Sequence, residues 1–221
     1  MTLTRMDLES SRLQAMISQA GLGWHLLTEE QLQQSIDDIL QQRQGSDVWI
    51  FAYGSLIWNP IFLYSDRCVG TVYGWHRRFC HWTPVGRGTP DNPGLVLGLD
   101  RGGSCRGVAY QIAASDVATE LQLLWRREMI AGTYIPRWVK VFIGGKIVEA
   151  IAFVINRQHS LYARSLSLDA TIESIATASG QLGSCADYLL QTIDGLATVG
   201  IKDETLNLLG DRVVARQQLK S

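Results

Sequence analysis

Residues 49–60 read Trp-Ile-Phe-Ala-Tyr-Gly-Ser-Leu-Ile-Trp-Asn-Pro, an apolar, aromatic run that stops at Tyr53-Gly54-Ser55-Leu56 and is closed by Asn59-Pro60. Short apolar runs bounded by Gly and Pro mark buried strands. Gly54 frees the backbone to turn and to approach a neighbour closely. After such a turn, successive N–H groups can converge on an anion such as a carboxylate. Tyr53 and Ser55 bring hydroxyls to the same place. Two readings follow: a tight turn in a β-protein, or a strand that delivers a small-molecule site.

The 221 residues are 46% hydrophobic and 19% charged, enough apolar material for a sizeable core in one large domain or two small ones. A formal net charge of −1 gives no electrostatic ground for a nucleic-acid or anionic-membrane partner. The apolar stretches fall short of a membrane span, and Met1 to Ala20 shows no apolar signal-peptide core. Cys68, Cys80, Cys105 and Cys185 are scattered, with no Cys-x-x-Cys pair and no disulfide framework. A cytoplasmic location is expected. His25, His76, His81 and His159 lack metal-ligand spacing. His76 and His81 are five apart in a strand-like segment, on opposite faces, and read as structural or surface residues.

Residues 1–46 form a helical N-terminal extension by pattern. Met6, Leu8, Leu13, Met16 and Ile17 make one apolar set, and Leu32, Ile36 and Ile39 another, before Gly45-Ser46 breaks the pattern. Residues 47–221 make the main domain. Its β-texture runs from Asp47 to about Asn156. Val69–Phe79 is a strand with bends or bulges at Gly70 and Gly74. Gly86–Gly94 is a loop. Leu95–Leu99 and Val108–Ile112 are expected to pair around a turn at Gly102-Gly103. Trp138–Ile143 and Lys146–Ile155 flank Gly144-Gly145, a two-residue hairpin signal, and the apolar end of the second suggests a central strand. One helix, about Asp116–Ala131, interrupts the strands. Helices return from Asp169, with Ser184 and Asp187 in a capping-box arrangement. The fold class expected is α+β, a partly closed β-barrel or strongly curved sheet with helices packed outside.

The inserted helix carries a second feature. Val117, Leu121, Leu124 and Trp125 share one face, and Glu128 projects into that arc, four residues from Leu124 and three from Trp125. A carboxylate there is costly unless it is paired, protonated or working. It is a partnered acid near the helix end, a solvated residue on a helix that stops early, or a general base whose pKa burial raises toward neutrality. Glu128 is the only acid that the pattern places on a buried face beside the β-core.

Residues 49–60 together with Gly-Trp-His-Arg-Arg-Phe-Cys (74–80), Gly-Val-Ala-Tyr (107–110), Leu-Trp-Arg-Arg-Glu-Met (124–129) and Gly-Thr-Tyr-Ile-Pro (132–136) resemble the ChaC family, the glutathione-specific γ-glutamylcyclotransferases. The match extends through Ala-Ser-Gly-Gln-Leu-Gly-Ser-Cys-Ala-Asp-Tyr-Leu (178–189) and covers roughly residues 47–210. The helical leader looks like the longer, bacterial-type members. The resemblance implies cleavage of the γ-glutamyl bond of glutathione to 5-oxoproline and cysteinyl-glycine, without cofactor or metal. It implies that Tyr53, Gly54, Ser55 and Leu56 hold the γ-glutamyl group, that Ile50, Phe51 and Ala52 line the same pocket, that Glu128 is catalytic and that Tyr188 belongs to the site. Ala52 stands where many relatives carry Gly, and Cys185 and Asp187 where Asn and often Glu or Gln occur.

The chemistry suits these residues. The α-amine of the γ-glutamyl group attacks its own side-chain carbonyl, so the main task is to hold one substrate in the reactive conformer, worth about 7–11 kcal/mol of the barrier in well-oriented cases. Rival readings are a cyclotransferase for other γ-glutamyl amino acids or amines, a cysteine amidase using His76 or His81, and a non-catalytic γ-glutamyl-binding protein. The oligomeric state is left open.

Overall fold

The computed structural model describes residues 3–43 and 47–219. Its centre is a closed barrel of β1 (Val48–Ala52), β2 (Asp66–Thr83), β3 (Gly94–Ile112), β4 (Tyr134–Ile143) and β5 (Lys146–Ile155), in the order β1-β3-β2-β4-β5. The α+β expectation holds, and the sheet closes completely. Closure removes the unpaired edges that an open sheet would present.

Two long strands make closure possible. In β2, Gly74 takes a φ of +80°, and the pairing with β3 shifts register between Tyr73 and Trp75 and again between Phe79 and His81. In β3, Gly102 and Gly103 take φ values of +105° and +64°. These glycines bend the strand without reversing it. Leu95–Leu99 and Val108–Ile112 therefore do not form the expected hairpin with each other. Both halves pair with β2, from Asp66↔Gln111 to Thr83↔Gly94, and the second half also pairs with β1. Gly70 stays in regular register opposite Gly107. A side chain at Gly70 would meet Val141 at 2.4 Å, so close approach, not a bend, requires glycine there.

The Gly144-Gly145 hairpin forms as expected, with both φ values positive (+51° and +88°), the geometry of a type I′ turn. β5 is central: it pairs antiparallel with β4 and parallel with β1 and β3, and Ala150–Val154 are buried.

Among the described residues, helices cover the barrel. α1 (Arg5–Glu9), α2 (Arg12–Gln19) and α3 (Glu29–Leu40) precede it; Thr4 with Asp7 and Thr28 with Gln31 form capping boxes. Leu32, Ile36 and Ile39 are buried as the pattern predicts, as are Leu8, Met16 and Ile17. Met6 is not; it is 74% exposed. The expected break at Gly45-Ser46 lies outside the described residues. α4 (Ser55–Trp58) is one short turn after β1. α5 (Val117–Glu128) sets Leu121, Leu124 and Trp125 on the barrel, with Trp125 edge-on to Phe153 at 5.0 Å.

α5 also corrects one expectation. Glu128 is not the only buried acid: Glu120 is 1% exposed. Arg5 of α1 grips both of its oxygens at 2.7 and 2.9 Å, and the Leu63 N–H donates to it at 3.0 Å. The partner comes from a segment far away in sequence, so the helical pattern could not supply it.

After the barrel come α6 (Leu168–Thr177), the ribbon β6 (Ser179–Gly180) and β7 (Gly183–Ser184), α7 (Cys185–Thr198) and α8 (Glu204–Gln218). Ser184 and Asp187 form the expected capping box at the start of α7.

Candidate active site

β1 ends at Ala52, and the hydroxyl of the next residue, Tyr53, donates to the Phe153 carbonyl at 2.7 Å. The Tyr53 carbonyl accepts from Arg77 at 2.9 Å, and Arg77 is ion-paired with Asp203 at 3.2 Å. The strand end is thus fixed through side chain and backbone. Gly54 follows, and a Cβ there would lie 3.1 Å from the Tyr188 hydroxyl. The absence of a side chain lets α7 bring that hydroxyl against the loop. Ser55 and Leu56 then open α4, where first-turn N–H groups have no partner in the helical ladder.

α5 brings its last residues to the same loop. Arg127 Nη2 donates to Ser55 Oγ at 2.9 Å and Nη1 to the Asn59 carbonyl at 2.7 Å, while Nε lies 3.0 Å from Glu128 Oε1. One guanidinium therefore ties both ends of α4 to the carboxylate. The side chains of Arg127 and Glu128 are 8% and 13% exposed. Burial raises the Glu128 pKa above the ordinary 4.5, and the Arg127 charge opposes that rise.

Three tyrosines surround the carboxylate. Burial, with the Glu128 charge adding to it, lifts Tyr53 and Tyr134 well above 10. Tyr188 is pushed up to about 12, mainly by burial. All three are protonated at neutral pH; Tyr53 and Tyr134 donate to the Phe153 and Leu97 carbonyls. The Tyr134 hydroxyl donates to the Leu97 carbonyl at 3.0 Å and lies 3.0 Å from His81 Nδ1. Burial lowers His81 to about 3, so it is neutral; a proton on Nδ1 would donate to Tyr134.

His81, Arg127, Glu128, Tyr134 and Tyr188 face one cleft of about 190 Å³. Ser55, Glu128 and Tyr188 line it. Tyr53, Gly54 and Leu56 are buried beside Ser55 in the chain and do not line the cleft. Ile50, Phe51 and Ala52 do not line the cleft; all are 0% exposed and face neighbours within the barrel. Ala52 pairs with Val108 and has no exposed surface to present to a ligand.

Sequence reading missed several lining residues. Arg127 was not among the site residues expected, although its place beside Glu128 was a usable signal. His81 was set aside as structural, yet it lines the cleft next to Tyr134. Arg87 lies in Gly86–Gly94, a segment whose composition marks it only as a loop. Leu13, Ile17 and Trp24 form part of one wall, so the N-terminal helices belong to the cleft as well as to the outer cover. Among the described residues no cluster of three or more His, Cys, Asp or Glu side chains is placed to hold a metal ion, and no helix is long and apolar enough to cross a membrane.

Comparison with known proteins is consistent across sequence and structure. The family model of ChaC-like proteins matches residues 48–216. The glutathione-specific γ-glutamylcyclotransferase of Escherichia coli is 43% identical over 161 residues, which is 72% of this chain and 70% of that one. The human glutathione-specific γ-glutamylcyclotransferase 1 is 35% identical over 173 residues, 75% of this chain and 78% of its own. The crystal structure of a γ-glutamyl cyclotransferase specific to glutathione from yeast superposes with a TM-score of 0.71. It covers 77% of this chain and 97% of that chain at 23% identity, a likeness of fold.

Proposed function

The chain belongs to the ChaC-like family, and on that premise we propose that it cleaves the γ-glutamyl bond of glutathione by intramolecular cyclisation, with Glu128 as general base. The products are 5-oxoproline and cysteinyl-glycine. The observation that carries the catalytic assignment is the desolvated Glu128 carboxyl on the cleft wall, joined through Arg127 to Ser55 of the loop.

The reaction begins with the substrate's α-ammonium, which must lose a proton before its nitrogen can attack. Glu128 accepts that proton. The nitrogen adds to the γ-carbonyl carbon and closes a five-membered ring. The carbon–nitrogen bond to cysteine then breaks, and protonated Glu128 returns a proton to the departing nitrogen. Over the whole reaction the attacking nitrogen gives up two protons and the departing one gains two. A single carboxyl of raised pKa can therefore shuttle them with no net consumption.

The Ser55 and Leu56 N–H groups would bind the substrate's α-carboxylate, with Tyr53 and Gly54 fixing the loop. The Tyr188 hydroxyl, protonated and set against Gly54, is a donor for the developing oxyanion. Ile50, Phe51 and Ala52 support this arrangement as the rigid strand that carries it. No water is consumed, which suits a cleft walled by Trp58, Tyr134 and Trp24. Both reacting groups belong to the substrate, so the scheme calls for no cofactor. Residues 47–221 form the catalytic unit in this reading, with residues 1–46 as an extension that completes one wall. A cytoplasmic setting accords with four free cysteines.

Incubation with glutathione and quantification of both products tests the proposal. Equimolar 5-oxoproline and cysteinyl-glycine are expected. Release of free glutamate would mean hydrolysis and would overturn cyclisation; no turnover would overturn the substrate. A panel of other γ-glutamyl compounds measures the selectivity.

A further inference from the structure

Arg87 is an uncommon residue for the place it occupies. It is 8% exposed, it lines the cleft, and no Asp or Glu among the described residues is paired with it. Its one hydrogen bond is from Nη1 to the Ser184 carbonyl at 3.3 Å. Asp187 contributes to the field at Arg87, but its carboxylate is engaged in the α7 capping box. A buried charge without an anionic partner is destabilising. No buried side-chain nitrogen or oxygen among the described residues lacks a hydrogen-bond partner, so the remaining guanidinium N–H groups open onto the cleft.

The loop that presents Arg87 is tied at several points. The Leu182 N–H donates to the Gly86 carbonyl at 2.7 Å, and the Cys185 thiol donates to the Arg87 carbonyl at 3.4 Å. A Cβ at Gly94 would lie 2.6 Å from that same carbonyl oxygen, and one at Gly180 would lie 2.4 Å from the Gly88 oxygen. Glycines thus press the loop onto the β6–β7 ribbon. The guanidinium lies over the Trp58 and Tyr188 rings, 6.0 and 5.8 Å from their centroids. Backbone, ribbon and rings hold a planar fork in place before any ligand arrives, the arrangement that suits bidentate binding of a carboxylate.

The position of this fork decides which carboxylate it meets. Arg87 lies against the Tyr188 ring and bonds the Ser184 carbonyl, whereas Glu128 is paired with Arg127, which holds Ser55. Both line the one cleft without being ion-paired to each other, and so form two separate poles of it. Glutathione carries one carboxylate beside the reacting amine and a second two residues beyond the scissile bond. The first belongs at the loop near Glu128.

Resting on the function proposed above, we infer that Arg87 binds the glycine carboxylate of glutathione and thereby makes the site selective for a γ-glutamyl dipeptide that ends in a free acid. Cysteine would then span the distance between the two poles, below the Trp58 and Tyr188 rings.

The test compares glutathione with its glycinamide analogue, which keeps the γ-glutamyl bond and lacks the terminal charge. Wild-type protein is expected to favour glutathione by about 10–100-fold in kcat/KM, chiefly through KM, the range expected for losing a charged hydrogen-bonded contact. Arg87→Gln should bring the two substrates to near parity, and Arg87→Lys should restore part of the preference. An Arg87→Gln protein that still prefers glutathione overturns the inference. Equal losses on both substrates also overturn it, since they would mean binding of the other carboxylate or a structural role. Titration calorimetry of the Glu128→Gln protein, which binds with little turnover, with the same two ligands decides the matter even if Arg87→Gln does not fold: equal affinity sinks the assignment. Absence of turnover with both substrates would instead count against the cyclotransferase reading itself.

Discussion

Arg127 Nε and Glu128 Oε1 lie 3.0 Å apart at the end of α5, and the other two guanidinium nitrogens hold Ser55 and Asn59 at opposite ends of α4. The charge that restrains the carboxyl pKa is therefore also the brace that sets the loop against it. Base strength and loop position are coupled through one side chain.

Replacing Glu128 by Gln keeps the shape and removes the base. We expect kcat to fall about 10²–10⁴-fold while glutathione affinity is largely retained. The folded-state pKa is raised, so the contribution of this group to stability is fully present below the unfolded value of 4.5 and is lost as pH rises through the folded value. Glu128→Gln should thus be as stable as wild type or slightly more so at pH 7, with the advantage vanishing below pH 4.5. Wild-type kcat/KM should show an acid limb above 4.5. Near wild-type turnover by Glu128→Gln would refute the mechanism.

Arg127→Gln removes the counter-charge and both ties to α4. The acid limb of kcat/KM should move to higher pH, because burial of Glu128 is then opposed by nothing on the neighbouring residue. Loss of loop position should lower kcat/KM by about 100-fold. Arg127→Lys keeps the charge without the three-way fork and should show the activity loss with a smaller shift of the limb. A pH profile unchanged in Arg127→Gln would separate the ion pair from catalysis.

Asp100 of β3 is expected to control acid stability. It is 1% exposed and accepts from Arg157 Nε at 2.6 Å, Arg78 Nε at 2.8 Å and the Tyr162 hydroxyl at 2.8 Å. Burial works to raise its pKa, but these donors outweigh it and hold the carboxyl well below the ordinary 3.8. A depressed pKa gives stability that is present above the unfolded value and lost as pH falls toward the folded one. Asp100→Asn should cost about 2–4 kcal/mol near neutrality, less than a fully buried pair because Arg157 is half exposed. Its denaturation midpoint should also fall less steeply than that of wild type below pH 3.8. Parallel acid profiles would show that another group controls the transition.

Arg5→Ala leaves the Glu120 carboxylate buried with the Leu63 N–H. We expect a loss of about 1–3 kcal/mol in chemical denaturation, discounted because Arg5 is itself a third exposed. Leu13 and Ile17 of α2 line the cleft, so loosening α1 should also raise KM for glutathione more than it changes kcat. An unchanged KM would show that the N-terminal wall does not touch the substrate.

Much of this protein was legible in its sequence because the signals are local. Gly144-Gly145 demanded positive φ at two successive residues, and the hairpin formed. The three-to-four spacing of Leu32, Ile36 and Ile39 marked the buried face of α3, and the Ser184–Asp187 spacing marked a cap. The α5 stripe placed Glu128 against the core, and the ordered motifs around it pointed to the family. What the sequence could not decide was which distant groups would meet. Gly102-Gly103 reads the same whether a strand reverses or merely bends, and only the continuous pairing of β3 with β2 settles it. Glu120 and Glu128 lie two turns apart on one helix, yet the first is neutralised by Arg5 from α1 and the second holds only its neighbour Arg127. Arg87 became a cleft residue because tight glycine contacts press its loop onto a ribbon almost a hundred residues later in the chain. Periodicity and turn chemistry fix the conformation of a few neighbouring residues. The desolvation and charge pairing that make a carboxyl a base depend on whatever the closed barrel brings within a few ångströms of it.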